Sequence, residues 1–306
     1  MTGVQTCALP ISSTVDDPDR VTERLPEEQN RTTITGGREL TYAEYGDPDG
    51  TPVVFLHGTP GSRQLAGLFD SHAVESGVRL LAPDRPGFGE SEPWRGRSVR
   101  DGGEVVTAVL DDAGVDSAGI VAFSGGSPYA LATAATVPDR VDRVDLVAGA
   151  TPAAVSEETP SIQRVLARLA TTTPTLLGGL FRWQSWMAGR LDPSFVVDQY
   201  TADDGPDGIP DSAAEAVKRD FLEAFARHRT GAVTEFRHTA DDWGIDYGDV
   251  DVPVTLWHGE DDTNVPLADA RRHADEIPTA ELEVIEDADH LRSLLEGTPD
   301  ALENYR

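Results

Sequence analysis

Six short, mostly apolar runs, at residues 53–56, 79–82, 120–123, 144–147, 252–256 and 282–285, recur along the chain with helical segments between most of them. Runs of strand length that are apolar at nearly every position suit strands covered on both faces. Strands that alternate with helices build a parallel sheet with helices on either side. Residues 31–35 and 40–45 flank Gly36-Gly37 and read instead as an antiparallel hairpin. The expected fold class is therefore α/β, a mostly parallel sheet with helices on both faces.

One interval breaks the alternation. Residues 151–229 hold no strand candidate, only amphipathic helices. Ile162, Val165, Leu166 and Leu169 share one helical stripe, as do Leu176, Leu180, Trp183 and Met187, and again Val217, Phe221, Leu222 and Phe225. Residues 201–211 read as a loop between helices. An all-helical insertion between two strands is expected to cap the carboxyl edge of the sheet, where open α/β sheets bind ligands. The core is then residues 32–150 and 230–306, and the cap residues 151–229, with Phe181, Trp183, Trp186 and Met187 expected to set a preference for ligand length.

Residues 1–31 lie ahead of the core: 12–30 form a polar, acidic lead-in, and 1–11 (MTGVQTCALPI) look like the in-frame translation of a sequencing adapter, expected to be dispensable. The single cysteine, Cys7, excludes an internal disulfide. No export signal is evident, and no apolar run approaches the roughly 18 residues of a membrane span. A cytoplasmic protein without a membrane partner is the expectation.

Charge narrows the partners. The 306 residues include 54 Asp and Glu against 25 Lys and Arg, a net charge of −29 spread along the chain, which argues against nucleic acid. Disorder, the other common reading of acidic chains, conflicts with strand and helix patterns that run from about residue 32 to 299. The expected partner is a small-molecule substrate.

Three loops carry chemistry-bearing residues. Ala122-Phe123-Ser124-Gly125-Gly126 joins an apolar run to an Ala-rich helical segment, a sharp strand-to-helix turn that lifts Ser124 above the sheet edge and needs small neighbours. His57-Gly58-Thr59-Pro60-Gly61 follows the run at 53–56. Glu260, Asp261 and Asp262 follow the run that ends at Leu256-Trp257. Two histidines come later: His273, read as an exposed residue of a helix, and His290, directly after the run at 282–285. In residues 84–89, Asp84-Arg85-Pro86-Gly87-Phe88-Gly89 reads as a structural turn.

Taken in order, HGTPGSR, DRPGFGES, FSGGSPYAL, WHGEDDTNVP and DADHL make residues 32–299 resemble α/β-hydrolase fold serine hydrolases with a helical cap. The resemblance implies Ser124 as nucleophile and His290 as base. Among the three carboxylates, spacing from Gly259 and Pro266 favours Asp262 as the orienting acid, with Asp261 the alternative and Glu260 solvated. It also implies an oxyanion hole from the backbone N–H groups of Thr59 and Gly125, with His57 buttressing the loop. The family's usual Gly is replaced by Ala122 at the turn and by Asp289 before His290, where Asp is expected to adopt the left-handed conformation. Ser124 argues against the dehalogenases and epoxide hydrolases of this fold, which use an Asp nucleophile.

The activity so implied is hydrolysis of a small or medium carboxylic ester through an acyl-enzyme, without cofactor or metal. A carbon–carbon bond hydrolase, an iminopeptidase or a non-turnover ligand receptor would present the same three residues. The acidic, lysine-poor composition, with Lys218 the only lysine, resembles that of cytoplasmic proteins of salt-in halophiles, above all haloarchaea.

Overall fold

A computed structural model describes residues 29–156, 161–202, 208–239 and 241–306. The expected adapter-like segment and all but the end of the lead-in lie outside the described residues. In chain order, β1 (Asn30–Ile34) and β2 (Arg38–Gly46) form the hairpin. They are followed by β3 (Thr51–Leu56), α1 (Asp70–Ser76), β4 (Val78–Pro83), α2 (Gly102–Asp112), β5 (Ala118–Phe123), α3 (Ser127–Thr136) and β6 (Val141–Val147). Between β6 and β7 (Val254–Gly259) the described residues hold α4 (Ser161–Thr172), α5 (Pro174–Ala188), α6 (Ser194–Val197), α7 (Asp211–Ala224) and α8 (Thr230–His238). The chain closes with α9 (Leu267–Glu276), β8 (Ala280–Ile285) and α10 (His290–Glu303).

The strands form one eight-stranded sheet in the order β1-β2-β4-β3-β5-β6-β7-β8. Pairing is antiparallel from β1 to β2 and from β2 to β4, and parallel from β4 onward. Strand periodicity divides the core in two. Val53 and Phe55 enter one apolar cluster with Val121, Phe123 and the α10 residues Leu291 and Leu294, while Val54 and Leu56 enter a second with Ile120, Ala122 and the α2 residues Val106 and Val109. Both faces of the central strands are covered, which is why β3 and β5 read as continuous apolar runs. The run at 282–285 differs from expectation: β8 is the edge strand, and none of its residues is fully buried, with Glu281, Glu283 and Val284 exposed. Charged side chains on an edge strand discourage pairing with another chain.

The helical insertion obeys one of its three expected stripes. In α7, Val217 and Phe221 are buried, as is Phe225 just beyond it. In α5 the stripe is reversed: Leu176 and Trp183 are 62% and 57% exposed, and the inward face is Leu177, Phe181 and Ala188. Phe181 stacks on Phe225 and Phe236 at ring separations of 5.3 and 5.7 Å. Helix α5 is apolar nearly all round, so periodicity could not choose its buried side. Ile162 and Val165 of α4 likewise face out. Of the expected loop at 201–211, residues 203–207 lie outside the described residues, and α7 begins at Asp211.

Candidate active site

At the end of β5 the chain turns through a short 3₁₀ segment (Ser124–Gly126) straight into α3. Ser124 holds φ at 48°, a left-handed conformation that costs a side-chain-bearing residue about 1–3 kcal/mol. Close packing around the turn holds it there: a Cβ on Gly126 would stand 2.5 Å from the Leu56 carbonyl oxygen, and one on Gly125 would run into the Thr59 side chain. Ala122, where the family pattern has Gly, is fully buried in β5.

Three side chains from distant loops meet here. His290 Nε2 lies 3.0 Å from Ser124 Oγ, and His290 Nδ1 lies 2.6 Å from Asp262 Oδ2. The carboxylate only accepts, so Nδ1 carries the proton and Nε2 is left to accept from the serine hydroxyl. The other carboxylate oxygen, Asp262 Oδ1, accepts from the backbone N–H groups of Asn264 and Val265 at 2.8 and 2.9 Å. Burial alone would raise the Asp262 pKa, but the adjacent His290 ring, with its hydrogen bond, brings it below the usual carboxylate value. Glu260 and Asp261 are exposed.

The loop after β3 lies against this turn. A Cβ on Gly125 would stand 3.2 Å from the Thr59 backbone nitrogen, so the two peptide nitrogens named from the sequence are neighbours, and both residues border the same cavity as Ser124 and His290. That cavity has a volume of about 470 Å³. Its apolar wall comes from Ile162, Leu166, Phe236 and Trp243, whereas Phe181, Trp183, Trp186 and Met187, expected to face the ligand, are absent from its described lining. Trp183 and Trp186 lie on the outward face of α5, and Phe181, though inward, is taken up by packing against Phe225 and Phe236.

Two further expectations change. His273 is buried rather than exposed, bonded through Nε2 to the Tyr247 hydroxyl at 3.0 Å, and burial lowers its pKa to about 4. Asp289 has φ −84°, not a left-handed value, and caps α10 by accepting from the Arg292 backbone N–H at 2.8 Å. The left-handed residue is Asp287, at φ 54°. Sequence reading also passed over Tyr200, which lies nearly parallel to the His290 ring with centroids 6.2 Å apart and whose carbonyl accepts from the Leu291 N–H at 3.0 Å. It passed over His258 as well, whose Nε2 bonds the Val265 carbonyl at 2.8 Å and lies 3.5 Å from Asp262. Tyr200 carries no local signal, being an aromatic in the turn after α6, and His258 stands directly before the loop of residues 259–266 that holds the three carboxylates. Among the described residues, no group of three His, Cys, Asp or Glu side chains is arranged to hold a metal.

The sequence matches the family model of the alpha/beta hydrolase fold over residues 51–296. It is similar to a 2-hydroxy-6-oxononadienedioate/2-hydroxy-6-oxononatrienedioate hydrolase of Cupriavidus pinatubonensis, 29% identical over 246 residues that cover 78% of this chain and 80% of that protein. Among solved structures, a bromoperoxidase from Bacillus anthracis superposes with a TM-score of 0.70 at 19% identity, covering 91% of this chain and 99% of that one. A thermophilic esterase from Thermogutta terrifontis superposes with a TM-score of 0.67 at 21% identity, covering 91% and 97%. The two structures share the fold with this chain.

Proposed function

Because the chain belongs to the alpha/beta hydrolase fold family, we propose that it hydrolyses small to medium, uncharged carboxylic esters through a covalent acyl-enzyme on Ser124. The observation that carries this reading is the unbroken hydrogen-bonded path from Ser124 Oγ through the His290 ring to buried Asp262. In this mechanism His290 Nε2 takes the Ser124 proton as Oγ attacks the ester carbonyl carbon. The carbonyl electrons move onto oxygen, where the backbone N–H groups of Thr59 and Gly125 would stabilise the oxyanion. Collapse expels the alkoxide, which takes the proton from His290. A water, deprotonated by the same nitrogen, then attacks the acyl carbon, releasing the acid and restoring Ser124. Asp262 keeps the proton on Nδ1 throughout. The insertion, residues 151–229, would act as the cap, with Ile162 and Leu166 against the acyl chain.

A second reading, cleavage of a carbon–carbon bond in a ring-cleaved diketone by the same residues, draws support from the likeness to the Cupriavidus pinatubonensis protein, whose name specifies a dienedioate. A dienedioate carries two carboxylates. Among the described residues lining the cavity there is no Lys or Arg, and the acidic ones include Asp198 and Asp269, besides Glu235, whose charge Arg85 and Arg97 offset. An unpaired carboxylate buried in such a site is costly, which favours the ester reading.

The test is a series of p-nitrophenyl esters from acetyl to decanoyl, run in molar KCl against wild type and Ser124→Ala, with a dienedioate substrate alongside. Repeated turnover of the esters, lost by about 10⁴-fold or more in Ser124→Ala, is expected. Turnover that survives the substitution overturns the nucleophile, a preference for the dienedioate overturns the ester reading, and a single labelling event without release indicates a ligand receptor.

A further inference from the structure

Beside the loop that carries Thr59, at the edge of the same cavity, the fold buries a charged cluster with no place in the mechanism above. Arg85, from the turn after β4, is 1% exposed, and Arg97 and Glu235 are 5% and 3% exposed. Glu235, on α8, binds Arg85 in bidentate fashion: Oε1 accepts from Nε at 2.9 Å and Oε2 from Nη2 at 2.7 Å. Arg97 Nη2 donates to Oε1 at 2.6 Å. Burial alone would raise the Glu235 pKa, but the two guanidinium groups more than reverse that and hold it well below the usual carboxylate range. Two guanidinium charges against one carboxylate leave the cluster with a net positive charge.

The remaining donors of Arg85 point at one short piece of backbone. Nη1 donates to the His57 carbonyl, and the Nη2 hydrogen not taken by Glu235 is shared between the Gly58 carbonyl at 3.0 Å and Thr59 Oγ1 at 3.1 Å. The Thr59 hydroxyl in turn donates to Glu235. His57 converges on the same carbonyl. Its Nε2 accepts from the Arg85 backbone N–H at 3.1 Å and so carries no proton, which places the proton on Nδ1, 2.7 Å from the Gly58 oxygen. Burial first, and Arg85 next, push the His57 pKa well down, so the ring is neutral. The Gly58 carbonyl therefore accepts two hydrogen bonds, one from a cation. That carbonyl belongs to the same peptide unit as the Thr59 N–H.

We infer that Arg85, aimed by Glu235, is a positioning residue for the oxyanion hole: it fixes and polarises the Gly58–Thr59 peptide so that the Thr59 N–H becomes a stronger donor to the developing oxyanion. This rests on the reading of Thr59 as an oxyanion donor. A peptide whose carbonyl accepts a charge-assisted hydrogen bond donates more strongly through its own N–H, because linked hydrogen bonds polarise one another by about 10–30% each. A net positive charge in a low-dielectric site beside the loop acts in the same direction. Neither contribution changes how an uncharged substrate binds before attack. The effect belongs to the transition state and should appear in kcat rather than KM.

The experiment uses a trifluoromethyl ketone whose carbonyl carbon is ¹³C-labelled, which adds to the nucleophilic serine as a hemiketal with an ionisable oxygen. Wild type, Arg85→Gln and Arg85→Lys are compared for ketone affinity, for kcat and KM on one ester, and for the pH at which the hemiketal carbon titrates. Arg85→Gln is expected to lose about 10- to 100-fold in kcat and a similar factor in ketone affinity, with KM within about threefold. The hemiketal oxygen should titrate about one pH unit or more higher, the same tenfold expressed as acidity. Arg85→Lys should fall between, with ketone affinity and kcat/KM declining in parallel. Should Arg85→Gln fail to fold, Arg85→Lys decides, because it keeps the charge while losing the fork aimed at the Gly58 carbonyl. An unchanged hemiketal titration in folded variants, or a loss confined to KM, overturns the proposal. If wild type forms no hemiketal at all, the serine-hydrolase reading falls and this inference with it.

Discussion

At the scale of single residues, the candidate acid shows how burial discriminates between chemically equal neighbours. Glu260, Asp261 and Asp262 are consecutive carboxylates, yet only Asp262 is withdrawn from solvent, at 4% exposure, and bonded to His290. Its second oxygen is occupied by two backbone N–H groups, so the carboxylate cannot rotate away. Replacing it with Asn would let the imidazole take the tautomer with its proton on Nε2, useless as a base toward serine. Asp262→Asn is expected to lower kcat by about 10⁴-fold, the scale of the corresponding change in a serine protease, while Asp261→Asn stays near wild type. Steady-state kinetics on a single ester decides between them, and a larger loss in Asp261→Asn would reassign the acid.

Among elements, the seam between α7 and the core carries a second buried charge cluster. Asp220 on α7 accepts from the Ser62 N–H at 2.7 Å and the Ser62 hydroxyl at 2.6 Å. Arg63 joins Asp84 of the core to Glu223 of α7, both at 2.6 Å. Burial raises the Asp220 pKa from 3.8 to about 7, outweighing the two Ser62 hydrogen bonds, and raises that of Asp84 to about 6 despite Arg63. A folded-state pKa above the unfolded one means that folding favours the protonated carboxyl. The stabilisation linked to Asp220 is thus complete below about pH 3.8, is lost as the pH rises to about 7, and stays lost above it. Asp220→Asn keeps an acceptor for Ser62 without the titration. Relative to wild type, its urea midpoint should therefore rise between pH 4 and pH 7 and level off beyond, and parallel midpoints across that window would rule the linkage out.

For the molecule as a whole, charge dominates. A net −29 over 306 residues opposes compaction. Screening shortens the Debye length from about 10 Å at 0.1 M salt to about 3 Å at 1 M, while net stabilities of domains run only to about 5–15 kcal/mol. Dialysis into dilute buffer is therefore expected to unfold the protein or abolish its activity, with KCl restoring at least part of the signal. Circular dichroism across a salt series is the measurement, and an unchanged melting temperature in dilute buffer would refute salt dependence. Among the described residues, no helix is long and apolar enough to cross a membrane.

The sequence by itself determined whatever depends on near neighbours. The apolar runs became strands of a mostly parallel sheet because burial on both faces demands them. The turn at Ser124 was legible because so sharp a strand-to-helix junction tolerates only small residues beside it. The stripe of α7 was legible because polar residues occupy its other side. Tertiary structure decided what depends on partners far along the chain. Periodicity could not orient α5, whose two sides are both apolar, and spacing favoured Asp262 but left Asp261 open, because the difference between them lies in what packs over each. Arg85 and Glu235 stand 150 residues apart, and each alone looks like an ordinary surface charge in a highly charged chain. Only packing α8 against the turn after β4 removes both from water, and that desolvation turns two unremarkable side chains into the support of the Gly58–Thr59 peptide.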